Sequence, residues 1–434
     1  MLTMKPGPRS RRRAVPLAAA LLALSAHAQA ADAEVAGEIL VKLRSTGALA
    51  PLLTRHDLTL VAGFGPRPMY RLKVTGNANV HDKIDALKAE IDVLIAEPNV
   101  VHQSPEARKN HAWAIGTESE YKAQWAPAAM RLAEAQALST GAGVRVAVLD
   151  TGVDRKHPAL KGRLTKGYDF VDGDTDPAEE GSKADAAFGH GTHVAGLVAL
   201  VAPGAKIMPL RVLDPAGKGD AWVIAQAILY AVDPDGDPAT NDGAKVVNLS
   251  LGSTSRTEML DAVAKLSACS IPAVDTPTED YSDPGYNGDK ARCQAFNGTV
   301  IVAAAGNDGS KKVKEYPAAE GAYGLFAVTA STENRTLASF ANYGSWVDVA
   351  APGEGITSSV PAGGYGVWSG TSMAAPLAAG TAALVRSLKP KMKAVDVARR
   401  VVRASAALCG GAKQRVVDAA AALTNVVPPD APCP

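Results

Sequence analysis

The sequence predicts an α/β protein in which a mostly parallel, doubly wound sheet is covered by helices on both faces and preceded by a smaller α/β unit. Three observations carry this expectation. From Trp125 onward, short apolar runs alternate with Ala-rich segments of helical spacing, the pattern of a parallel sheet buried on both sides. Residues 31–115 carry a separate strand–strand–helix–strand pattern. Aromatic residues make up only 5% of the chain and Ala is abundant, which suits helices packed closely on a sheet.

Residues 1–30 have the layout of an export signal. Lys5, Arg9, Arg11, Arg12 and Arg13 form a basic start, Ala14–Leu24 is an apolar run too short to span a bilayer, and Ala28-Gln29-Ala30 is a small-x-small cleavage site. Ser10-Arg11-Arg12-Arg13 leaves twin-arginine export open beside the general route. In the small unit, Glu38–Leu43 and Tyr70–Val74 alternate as strands. Val80–Ala96 places Ile84, Leu87, Ile91, Leu94 and Ile95 at helical spacing, and Val100–His102 closes as a strand. Pro105–Ser119 reads as polar and extended. In the larger unit, strands are expected at Val144–Leu149, Ile207–Leu213, Lys245–Leu249, Val300–Ala304 and Leu325–Thr329. Helices are expected near Ala126–Leu138, His193–Ala199, Val223–Ala231, Thr257–Leu266, Thr371–Leu388 and Ala394–Ala407. Ligand sites in such sheets lie at the carboxyl ends of strands, where Asp150 and Asn307 fall.

A formal net charge of +1 makes no electrostatic case for nucleic-acid binding. No later segment is a membrane-span candidate, so the expectation is a monomer, secreted or periplasmic, free of the membrane once its signal is removed. Cys269, Cys293, Cys409 and Cys433 all lie in the exported part, and an even number in an oxidising compartment argues for disulfides. Three pairings are possible. Loop economy favours Cys269–Cys293 and Cys409–Cys433, each contributing about 3 kcal/mol in the chain-entropy picture. No CxxC spacing supports zinc.

Three segments carry chemistry. Ser369-Gly370-Thr371-Ser372-Met373-Ala374-Ala375-Pro376 is a Gly turn that delivers a Ser into the first turn of a small-residue helix, where unpaired N–H groups and the positive dipole end await an anion. Val146-Ala147-Val148-Leu149-Asp150-Thr151-Gly152-Val153 is a buried strand ending in a carboxylate, which must be paired to be buried. Gly189-His190-Gly191-Thr192-His193-Val194-Ala195-Gly196 sets a His between glycines at the start of an apolar helix. Together Ser372, His190 and Asp150 supply a nucleophile, a base and a group to orient the base.

With Asp-Thr-Gly, His-Gly-Thr-His and Gly-Thr-Ser-Met-Ala in the order Asp, His, Ser, the chain from roughly Tyr121 to its end resembles the subtilisin-like serine peptidases. The resemblance implies a serine endopeptidase of broad specificity that needs no cofactor for its chemistry and acts on peptides or proteins; a narrow processing protease, or a non-catalytic peptide-binding protein on the same scaffold, is the alternative. It implies an oxyanion hole made by the Asn307 amide, after Val302-Ala303-Ala304-Ala305-Gly306, and the Ser372 backbone N–H. It also implies that residues 31–115 are an inhibitor-like propeptide of ferredoxin-like fold, which blocks the cleft of the peptidase domain, 116–434, as an intramolecular inhibitor until self-cleavage. The implied substrate-binding residues are Ser250, Leu251 and Gly252 on one side and Gly217 and Gly219 on the other, with Ala304, Gly306 and Glu315 around the S1 pocket. A carboxylate at Glu315 favours basic P1 side chains. Ala221, with Trp222 next, replaces an aromatic lid and opens the S4 pocket. The interval from Gly252 to Gly306 is longer than in compact relatives and holds a polar stretch, Thr276–Asn287. The loop carrying the strong calcium site of many relatives is missing, but two acidic loops remain as candidates for structural calcium: Asp172, Asp174 and Asp176 beside Asp169, and Asp233, Asp235 and Asp237 beside Asp242.

Overall fold

A computed structural model describes residues 32–109, 113–237, 239–269, 293, 295–321, 324–427, 429–430 and 432–433. The export-signal segment and the Thr276–Asn287 stretch lie outside the described residues.

The small unit runs β1 (Glu34–Leu43), α1 (Leu49–His56), β2 (Leu58–Gly63), β3 (Met69–Val74), α2 (Val80–Lys88) and β4 (Val93–Gln103). Its antiparallel strand order, β2-β3-β1-β4, is the ferredoxin-like arrangement. Ile39, Val41 and Leu43 on alternate positions of β1 meet Leu52, Ile84 and Leu87 of the two helices in one core. The expected helix Val80–Ala96 is shorter. Asn79 caps its start by accepting from the His81 and Asp82 amides, it ends at Lys88, and Ile91 is 80% exposed. Residues from Val93 instead pair with β1, because Leu94 and Ile95 serve a sheet edge better than a helix face.

Pro105–Ser119 is not extended throughout. Ser104 caps a single turn, α3 (Pro105–Arg108), its Oγ accepting from the Ala107 amide, with Pro105 at the first helical position. The chain resumes as β5 (Ala114–Gly116) and α4 (Glu118–Ala123), the latter opened by a Thr117/Glu120 capping box. The expected helix Ala126–Leu138 is two, α5 (Trp125–Ala129) and α6 (Leu132–Leu138). They break at Arg131, held at φ +51° while its guanidinium grips Asp418 through two hydrogen bonds.

The large unit alternates β6 (Arg145–Asp150), β7 (Tyr168–Asp169), α7 (His190–Val201), β8 (Lys206–Arg211), β9 (Lys218–Asp220), α8 (Ala221–Val232), β10 (Val246–Leu249), α9 (Glu258–Ala268), β11 (Val300–Ala304), β12 (Leu325–Ser331), β13 (Val349–Pro352), a hairpin of β14 (Ile356–Val360) and β15 (Gly364–Trp368), and α10 (Thr371–Leu388). Among the described residues the main sheet has nine strands, with β12-β11-β10-β6-β8 at its centre, all parallel. Val146, Val148, Val246 and Val302 face α7 and α10 in one core, while Ala147, Leu149, Val247 and Ile301 face α8 and α9 in the other. This is the doubly wound architecture expected. The helix expected over Ala394–Ala407 stops at Arg403, and Ser405–Ala407 pairs as the antiparallel edge of the sheet, tertiary pairing overriding Ala propensity. The structure holds the disulfides Cys269–Cys293 and Cys409–Cys433.

The two units share one sheet, since β4 continues antiparallel against β9. Glu97 accepts from the Glu258 and Met259 amides at the start of α9, and Asn99 Oδ1 accepts from the Trp222 amide at the start of α8. Two helices of the large unit are thus capped by side chains of the small one.

Candidate active site

Asp150 ends β6 and His190 starts α7. The helix can begin there because Gly189, at φ +88°, turns the chain, and Gly191 presses so closely on Gly152 that a Cβ would collide with its carbonyl. His190 Nδ1 lies 2.7 Å from Asp150 Oδ1, and both side chains are buried. Glu179 supplies the capping group that Gly189 lacks. Its carboxylate accepts from the Thr192 amide (3.1 Å), the Thr192 hydroxyl (2.8 Å) and the Thr151 hydroxyl (2.5 Å), tying the end of β6 to the start of α7. Trp368 stands edge-on to His190, ring centroids 5.3 Å apart.

Ser372 is the second residue of α10. Its hydroxyl donates to the Ser250 carbonyl (3.3 Å), and the Ser250 hydroxyl donates to the Ser372 carbonyl (3.0 Å). Asn307 follows β11. Its Oδ1 accepts from the Thr371 amide (2.9 Å) and hydroxyl (3.0 Å), which turns its Nδ2 away from the helix and into the cleft. The Gly306 amide donates to the same Thr371 hydroxyl.

The cleft holds the end of the small unit. Val101, His102 and Gln103 pair with Asp220, Gly219 and Lys218 on one side, and Gln103 exchanges both backbone hydrogen bonds with Gly252 on the other (2.8 and 3.1 Å). The Ser104 amide donates to Gly217 O (3.0 Å). The chain therefore lies as a strand between Gly217–Gly219 and Gly252 until α3 turns it aside. Leu251 and Ala304 are fully buried behind this wall.

Two side chains of α3 enter the site. Glu106, fully buried, sets Oε2 3.1 Å from His190 Nε2 and accepts through Oε1 from Asn307 Nδ2 (2.8 Å). Arg108 makes a bidentate pair with the buried Glu315 (2.7 and 3.1 Å) and donates to the Gly252 carbonyl (3.0 Å). Glu315 fits because Gly252 and Gly306 flank it without side chains, and a Cβ on either would meet it below 3 Å. Burial would lower the His190 pKa, but the Asp150 and Glu106 carboxylates outweigh it and push the imidazole up to about 10. Burial would raise Glu106, but His190, Ser372 and Asn307 hold it below the usual carboxylate range. Burial pushes Glu315 up to about 7, against the pull of Arg108.

Trp222 is buried and stacks on Phe64 of the small unit at 3.9 Å, so it packs the interface behind the strand. In the first acidic loop, Asp169, Asp172 and Glu180 converge, and the buried Arg211 guanidinium pairs with all three (2.5–2.9 Å). Asp174 instead accepts from the Asp176 amide, and Asp176 pairs with Arg155. In this structure the Arg211 guanidinium occupies that carboxylate set. In the second loop the carboxylates of Asp233, Asp235 and Asp242 lie within 4.8 Å of one another, a separation suited to a hard cation, while Asp237 turns to accept from the Ala239 amide.

Glu106, Arg108, Thr371, Glu179 and Arg211 do not stand out in the sequence as site residues. Ser104-Pro105 before Glu106, a cap followed by a first-turn proline, was the available sign that the turn begins there.

Comparison with known proteins agrees with this geometry. The subtilase family model matches residues 141–424, and the model of the fervidolysin N-terminal prodomain matches residues 22–99. A thermophilic serine proteinase of Bacillus sp. (strain AK1) is 36% identical over 330 residues, 72% of this chain and 71% of that protein. Thermitase of Thermoactinomyces vulgaris is 37% identical over 275 residues, 61% and 82% of the two chains. Among solved structures, a protease from Pseudoalteromonas arctica covers 72% of this chain and 99% of its own at 30% identity and a TM-score of 0.56. Fervidolysin from Fervidobacterium pennivorans covers 92% of this chain and 62% of its own, with a TM-score of 0.67; at 23% identity that likeness is one of fold.

Proposed function

The chain belongs to the subtilase family of serine proteases, and from that premise we propose a secreted endopeptidase, made as a self-processed precursor, that cleaves peptide bonds through an acyl-enzyme on Ser372. The observation that carries this reading is the 2.7 Å His190–Asp150 pair facing the Asn307 amide at the start of the helix that bears Ser372. In the free enzyme, His190 Nε2 takes the Ser372 proton as the hydroxyl oxygen attacks the scissile carbonyl. Asp150 holds the ring by Nδ1 and stabilises the imidazolium. The Asn307 Nδ2 and the Ser372 backbone N–H receive the oxyanion; one such donor is worth about 10²–10³ in rate. His190 then gives its proton to the leaving amine, and water, activated in the same way, releases the acyl group.

Residues 1–30 are assigned as signal, 31–115 as propeptide and 116–434 as peptidase domain. The strand of residues 101–103 in the cleft supports the propeptide's place there. Recognition through backbone pairing with Gly217, Gly219 and Gly252 supports breadth along the substrate, and the Arg108–Glu315 pair supports a preference for Arg or Lys at P1. A net charge of +1 makes no electrostatic case for nucleic-acid substrates, and the enzyme is assigned as a monomer. Structural calcium is assigned to Asp233, Asp235 and Asp242.

Ser372→Ala is expected to abolish peptide turnover and leave the precursor uncut, read by a peptide assay and by N-terminal sequencing of secreted protein beside the wild type. Full activity in that variant overturns the assignment.

A further inference from the structure

We propose that Glu106 is a built-in ligand of the oxyanion hole, a carboxylate presented by a one-turn helix that holds the catalytic centre shut in the precursor. The inference rests on the catalytic reading of Ser372, His190 and Asn307 above and concerns how that site is occupied before maturation.

Strand pairing alone does not block a protease, because a substrate pairs in the same way. What differs is the path after Ser104. A substrate continues as a strand and sets a peptide carbonyl against the serine. Here Ser104 caps α3, the backbone winds away, and a side-chain carboxylate enters instead. Its two oxygens divide the work: Oε1 takes the Asn307 amide at 2.8 Å and Oε2 takes His190 Nε2 at 3.1 Å. Gly370 leaves room for it, since a Cβ there would collide with Oε1.

The electrostatics follow from the geometry. A protease of this kind best binds a pair of charges, an oxyanion in the hole and an imidazolium beside it, because these exist together at the transition state. Glu106 offers the oxyanion and, with Asp150, encloses His190 between two buried carboxylates. The ring is held protonated, so it has no lone pair to accept the serine proton. One side chain thus fills the hole and occupies the base. Arg108, from the same turn, anchors it through Glu315.

The test is reaction of Ser372 with a fluorescent fluorophosphonate, read on a gel that separates the full-length precursor from the processed enzyme. The probes are wild type, Glu106→Gln, Glu106→Ala and Ser372→Ala, sampled at early times in the cold. Expected is strong labelling of wild-type processed enzyme, weak labelling of wild-type precursor, and a precursor band labelled about 10–100-fold faster in Glu106→Gln and Glu106→Ala. Gln keeps the shape of Glu, loses its charge and turns one acceptor oxygen into an amide donor, so faster labelling there reports the lost carboxylate and not a missing side chain. Misfolding lowers labelling and cannot imitate the expected rise. A Glu106→Gln precursor labelled no faster than wild type, beside a well-labelled processed band, overturns the proposal while leaving the catalytic reading intact. Absence of label from every band, processed wild type included, overturns both.

Discussion

Glu315 illustrates how a single side chain acquires a function from its neighbours. Gly252 and Gly306 leave a slot only a side chain from elsewhere can fill, and burial pushes the Glu315 carboxyl up to about 7. In this structure it meets the Arg108 guanidinium, the group a basic P1 side chain would bring. A P1-Arg peptide is expected to exceed its P1-Phe counterpart in kcat/KM. Glu315→Gln should cut the ratio of the two about tenfold. Equal values for the two wild-type substrates, or a Phe preference, would remove Glu315 as the determinant. Asp150, His190 and Ser372 were readable because each sits in a motif whose glycines and small residues have local reasons. Glu106 was not, because nothing within a few residues of it says that it will meet a histidine 84 positions away.

At the scale of elements, the loop after β7 is the clearest departure from expectation. Its acidic residues read as calcium ligands, yet β8 ends in Arg211, and the β7–β8 register places that guanidinium among Asp169, Asp172 and Glu180. An internal cation stands where an external one was expected. Arg211→Met should destabilise the fold by about 3–5 kcal/mol, because it leaves Asp169 buried without a counter-charge. Urea unfolding of an inactive Ser372→Ala background would measure it, and a loss within about 0.5 kcal/mol would reject the role. The same limit on local reading explains the helix at residue 80. Asn79 caps its start, and its end is set by pairing of Val93 onward with β1.

For the whole molecule, the two units are joined by a shared sheet, two capped helices and the Glu106 contact, so the state of His190 bears on how firmly they hold together. Its pKa with Glu106 and Asp150 beside it is about 10 against an ordinary 6.5. A histidine shifted upward contributes stability that is complete below about 6.5 and disappears as pH rises through about 10. Melting of Ser372→Ala should therefore show an alkaline decline, and the Ser372→Ala/Glu106→Gln precursor should be less stable than it at neutral pH and converge with it above about pH 10. Parallel curves at every pH would contradict the coupling. The sequence by itself determined the parallel sheet, the ferredoxin-like unit and the motifs that hold Asp150, His190 and Ser372, because apolar periodicity, caps and glycine turns act over a few residues and leave a local trace. The tertiary structure decided which charges face one another: Arg211 with its acidic loop, Arg108 with Glu315, and Glu106 with His190. Electrostatic pairing depends on distance in space, and the chain places those partners 31 to more than 200 residues apart, so only the completed packing brings them within reach.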